Sequence, residues 1–168
     1  MFASLTISTL LVAVFLALLA MAAIYDFREL RIPNWIAGTV ALLYPAYVLA
    51  SPVAVDWTGA AGVALAVFGV GFVLFLLGAI GGGDVKLMAA AALWAGPATI
   101  LDLLLVTAIA GGALALILAT PLRFVVARLF ELLGRQNLRD RVLGSVVPYA
   151  AAIAVGGFIA IAPAVLSQ

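Results

Sequence analysis

The stretch FLLGAIGGGDVKLMAAAALW (Phe75–Trp94) sets three consecutive glycines, Gly81, Gly82 and Gly83, and an ionisable carboxyl, Asp84, between two apolar runs. Glycine weakens a helix, and an isolated charge is costly among apolar groups. The stretch therefore makes sense only once its solvent is known, and composition supplies that. Of 168 residues, 68% are hydrophobic and 9% are charged, with a mean hydropathy of +1.36. A soluble domain carries about 25% charged residues, so there are too few polar side chains here to coat a globule. The chain reads as an all-α polytopic membrane protein, with residues 1–168 forming a single transmembrane domain. A net charge of +1 without a basic tail gives no sign of a nucleic-acid partner.

The sequence has no Cys and no His, which removes disulfides, thiol nucleophiles, Cys/His zinc sites and imidazole acid–base chemistry. Chemistry must come from carboxylates, Lys, hydroxyls or the backbone. The 7 acids are Asp26, Glu29, Asp56, Asp84, Asp102, Glu131 and Asp140.

In lipid a backbone must satisfy its own hydrogen bonds, so the apolar runs are expected to be helices of about 20 residues. The first run spans Ser4–Tyr25 and is expected to be retained, because no basic residue precedes its long apolar core. The second opens at Pro33-Asn34 and reaches Ala50, and the third covers Trp57–Ile80. Val85–Ala95 ends at the breaker Gly96-Pro97, Ala98–Ala119 follows, and a last run lies between Gly144 and Leu166. Counted as six spans, these runs put Arg28, Arg31, Lys86, Arg123, Arg128, Arg135, Arg139 and Arg141 on one side, the cytoplasmic one, with both termini outside. The fourth is short, about 17 Å at 1.5 Å per residue against a core of about 30 Å. It either kinks through Pro97 or begins below the surface. PLRFVVARLFELLGR (Pro121–Arg135) reads as an interfacial helix or as an extension of the fifth span.

This topology puts Asp26, at the end of the first span, and Asp84, after the third, at the same end of the bundle. Two close carboxyls cannot both ionise easily. One can activate water while the other, protonated, polarises a carbonyl. The glycines fit such a site, since they permit close backbone approach and positive φ. Simpler roles exist for each residue. Asp84 suits a helix N-cap, Asp26 suits the end of a span, Lys86 suits an anchor at the positive side, and Trp35, Trp57 and Trp94 suit the interface. Helix-end charge favours a protonated Asp26 at a C-terminus and an ionised Asp84 at an N-terminus, which would make Asp84 the base, although Arg28 beside Asp26 can cancel this bias and leaves the assignment open.

GGGDVKLMAAAALW resembles the GxGD signature of type IV prepilin peptidases, with Gly81, Gly83 and Asp84 in the motif, and YDFRELRIPNW resembles its partner stretch, with Asp26 and Ile32-Pro33-Asn34. VPYAAAIAVGG is similar to the proline-containing last span. The resemblance implies an aspartic membrane endopeptidase of the plasma membrane. It would cut the short basic leader from a pilin-like precursor at the cytoplasmic face, with Asp26 and Asp84 as the catalytic pair and no metal or other cofactor. Gly81–Gly83 and Lys86 would lie along the substrate, and Glu29 is a candidate partner for the basic leader. Longer members insert a cytoplasmic CxxC domain between the first two spans and also N-methylate the product. Here about eight residues and no Cys stand there, so the resemblance is to the minimal form that serves Flp/Tad pili or archaeal preflagellins, and methylation is not expected. A proton- or ion-coupled transporter is the rival reading, since it too places acids in a bundle. A non-catalytic assembly subunit is a third. Oligomeric state is left open by the sequence.

Overall fold

The computed structural model describes residues 2–134, 136–143 and 148–163, and every element among them is helical. Helix α1 is Phe2–Glu29, α2 is Asn34–Ala50, α3 is Trp57–Leu76, α4 is Gly82–Ala119, α5 is Leu122–Leu132, α6 is Gln136–Leu143 and α7 is Tyr149–Gly156, which runs on as a π-helical turn, Gly157–Ile161. By length and composition Ile7–Glu29, Trp57–Leu76 and Gly82–Ala119 can each cross a bilayer, while Asn34–Ala50 and Tyr149–Ile161 are shorter apolar helices.

Helix α4 is two helices joined without a loop. Gly96 has φ 58° and ψ −172°, a left-handed conformation open to glycine. Pro97 follows at once and lacks the N–H that a continuous helix needs. The chain thus kinks rather than loops at the expected breaker, and the segments 82–95 and 97–119 bring the apolar helical segments to six, in the expected order. The ends of the last expected run, 144 and 166, lie outside the described residues. The third run stops earlier than hydropathy predicts. Leu77 N–H bonds to Val73 C=O at 3.1 Å, Gly78 N–H to Phe75 C=O at 2.9 Å and Ala79 N–H to Leu74 C=O at 2.9 Å. This Schellman closure ends α3 at Leu76, and the residues to Ile80 form a turn.

The core lies where α1, α2, the first segment of α4 and α7 meet, on Phe15, Leu19, Ile36, Val40, Leu87 and Ile153. Helix α3 packs on α4 yet buries only Ala60 among its residues, leaving Leu65, Phe68 and Phe72 exposed. In a membrane protein such surface faces lipid. Trp94 is not the interfacial aromatic expected. It is 4% exposed, donates its indole N–H to Val40 C=O at 2.9 Å and stacks on Phe15 at 4.4 Å between centroids. Tyr44 meets it edge-on at 5.8 Å. Trp35 and Trp57 are exposed.

Thr120 is extended (φ −103°, ψ 168°) and ends α4, so α5 is a separate helix rather than a continuation. It leaves Leu122, Phe124, Val125, Leu129 and Leu132 exposed and is tied to α6 through Glu131, which pairs with Arg128 at 3.0 Å and Arg139 at 4.0 Å. Asp140 pairs with Arg139 at 3.4 Å. Arg135, in the same expected interfacial stretch, lies outside the described residues.

Candidate active site

The last turn of α1 carries Asp26, whose backbone C=O takes the N–H of Leu30 at 2.9 Å. Leu30 has φ 52°, a left-handed conformation that costs a side-chain-bearing residue about 1–2 kcal/mol. It turns the chain sharply out of α1, and Ile32-Pro33-Asn34 leads straight into α2. Asp26 itself is 7% exposed. Its Oδ2 accepts the backbone N–H of Ala150 at 2.9 Å, in the first turn of α7. Pro148, at the N-cap of α7, offers no side-chain cap, so Asp26 serves as the cap from another helix. Sequence reasoning missed this contact. The available signal was a helix start, PYAAA, without Ser, Thr, Asp or Asn at its cap.

Asp84 is not the N-cap of α4. Gly81 holds that position, extended at φ −75° and ψ 142°, and Asp84 lies two residues into the helix. Its half-buried carboxyl folds back over Gly81, where a Cβ would lie 2.7 Å from Asp84 Oδ2, the placement of one half of a capping box. Both acids therefore meet helix N-termini, Asp84 that of its own helix and Asp26 that of α7. Helix-end charge does not separate their roles.

None of Gly81, Gly82 and Gly83 has positive φ among the described residues, contrary to one of the uses expected of them. Close approach is what Gly83 supplies: a Cβ there would lie 3.1 Å from Ile32 Cβ. Its absence lets the turn after α1 settle against the start of α4, and that contact draws the two acid-bearing ends together. Asp26 and Asp84 line one cavity of about 610 Å³, near enough for the Asp26 charge to act on Asp84. Glu29, Gly81, Gly82, Gly83 and Lys86 line it too, so the residues singled out in the sequence all converge there. Asn34 and Arg31 join them. Lys86 has a structural contact of its own: its Nζ donates to Asn34 Oδ1 at 2.9 Å and bridges the start of α2 to α4.

The other acids lie elsewhere. Asp56 caps α3, accepting Gly59 N–H at 2.9 Å and Thr58 O–H at 3.0 Å, and Asp102 is exposed on the second segment of α4. Among the described residues no three His, Cys, Asp or Glu side chains cluster to hold a metal ion.

Comparison with curated proteins and with solved structures finds no match to the chain. A family model does match, over residues 13–116, from within α1 to near the end of α4. The matched region includes both Asp26 and Asp84, whereas VPYAAAIAVGG lies beyond it. The model is that of the type IV leader peptidase family, and the chain belongs to this family of membrane proteases.

Proposed function

We propose that the chain is an aspartic endopeptidase whose catalytic pair is Asp26 and Asp84, and that it removes the short basic leader of a pilin-like precursor, of the Flp/type IV or preflagellin kind, at the cytoplasmic face of the plasma membrane. The carrying observation is that these two acids, on helices far apart in sequence, line one cavity. The ionised member takes a proton from water as its oxygen attacks the scissile carbonyl carbon. The protonated member gives its proton to the carbonyl oxygen. Collapse of the tetrahedral intermediate breaks the C–N bond, and the amide nitrogen leaves with a proton from the dyad. The bilayer holds the precursor's apolar segment alongside the bundle, six helices cross it, and both termini lie outside the cytoplasm. The reading includes no N-methyltransferase activity and needs no cofactor for cleavage.

The test is reconstitution of the purified chain in liposomes with a pilin precursor, scoring the shortened product. Wild type and Asp102→Asn are expected to cleave, while Asp26→Asn and Asp84→Asn lose at least about 100-fold, the lower range for loss of a general acid or base. Cleavage that survives Asp84→Asn overturns the reading. A transporter instead predicts ion flux in the same liposomes and no product.

A further inference from the structure

A second cavity, of about 390 Å³, meets the first at Asp84. Its walls are apolar: Val67, Val70 and Leu74 from α3, Val85 and Met88 from α4, and Ile153 from α7. Among the described lining residues Asp84 alone is common to the two cavities, and Asp26 lines only the polar one. The groove is open along α3, where Val70 is 65% exposed and Leu74 39% exposed.

Resting on the protease reading above, we infer that this groove seats the first apolar residues after the scissile bond, and that the junction at Asp84 fixes the direction in which the substrate lies. The two cavities differ in the chemistry they accept. The polar one carries the carboxyls of Asp26, Glu29 and Asp84 against the cations of Arg31 and Lys86, and the Lys86 ammonium is already engaged by Asn34. With the dyad sharing one proton, the cavity's two remaining carboxylates balance the two cations, so it suits a polar segment whose basic side chains can meet the exposed Glu29, whereas the groove offers apolar contact. A chain that changes from basic to apolar at its cleavage point matches both when its scissile bond lies at Asp84. The groove has room for a few large side chains rather than a whole helix, so it reads the residues nearest the cut. The remainder of the substrate helix lies along exposed α3.

Two measurements test this in the full chain in liposomes. Val67→Trp fills the groove. It is expected to raise KM about tenfold or more for a precursor with its apolar segment, the scale of a lost hydrophobic subsite. Cleavage of a short peptide that stops one residue past the cut should be unchanged. A photo-reactive p-benzoylphenylalanine at Val70 is expected to cross-link to the precursor just after the cleavage point, while the same group at Leu49, on α2, does not. Equal effects of Val67→Trp on both substrates, no effect on either, or cross-links from Val70 to lipid alone each overturn the groove assignment. If wild type cuts neither substrate, the protease reading itself fails, a distinct result from wild-type cleavage that is indifferent to the groove.

Discussion

At one end of the α4 segment 82–95, Trp94 is closed between Phe15, Tyr44 and Tyr47, with its only polar atom bonded to Val40 C=O. At the other end, Gly81–Asp84 borders a cavity of about 610 Å³ where Asp26 accepts a backbone N–H from the start of α7 and Asp84 folds back over Gly81. A smaller cavity, of about 150 Å³, adjoins the aromatic end. The same helix is therefore clamped by ring packing at its Gly96 break and held by polar contacts at Asp84, where the proposed function places the peptide. Large rings with few rotamers fix the helix in place. An open polar end then leaves room for water and substrate without loosening the bundle.

If that division holds, Trp94→Ala should damage the fold far more than the chemistry. In lipid the hydrophobic term between helices is absent, so the loss is of ring contacts and the indole bond. About 3 kcal/mol is expected, the low end for Trp→Ala in cores. Thermal unfolding of the reconstituted chain measures it, and the fraction that remains folded should still cleave at near the wild-type rate. A variant of normal stability but without activity would put the clamp at the wrong end.

A finer separation comes from Asp26, which acts both as a proposed catalytic acid and as the cap of α7. Asp26→Asn keeps an oxygen for the Ala150 N–H, whereas Asp26→Ala removes it. Both should abolish cleavage, but only the Ala variant should also lose stability, by about 1 kcal/mol as for a lost N-cap. Equal stability of the two would mean that the 2.9 Å bond contributes nothing to holding α7.

Much of this architecture is legible in the sequence because lipid makes hydropathy a strong signal. The apolar runs, the break at Gly96-Pro97 and the two acids at one end all follow from residue type and order. Other features are tertiary. Trp94 looks the same in sequence whether it lies at an interface or in a core, and only the rings of α1 and α2 decide which. The Asp26–Ala150 bond spans 124 residues, beyond any local pattern. Helix α3 ends in a closure built of residues as apolar as the helix, so hydropathy does not register its end at Leu76. Asp84 beside glycines reads as a cap because nothing local shows that Gly82 and Gly83 are already helical.

Leu30 gives the smallest and most specific test of the contrast. Nothing comparable to its left-handed turn is found at the aromatic end except at Gly96, where glycine carries the conformation without strain. Strain retained beside a site is a common feature of functional loops, and Leu30 lines the cavity while remaining 39% exposed. Leu30→Gly should relieve the backbone cost of about 1–2 kcal/mol but add unfolded-state freedom worth roughly 0.5–1 kcal/mol. The net expectation is a gain of about 0.5–1 kcal/mol in unfolding free energy. Cleavage should slow, because a freer turn no longer holds Glu29 and Asp26 to one geometry against Gly83. A Leu30→Gly chain that is less stable than wild type would show that the leucine side chain, and not the turn it forces, holds this end together.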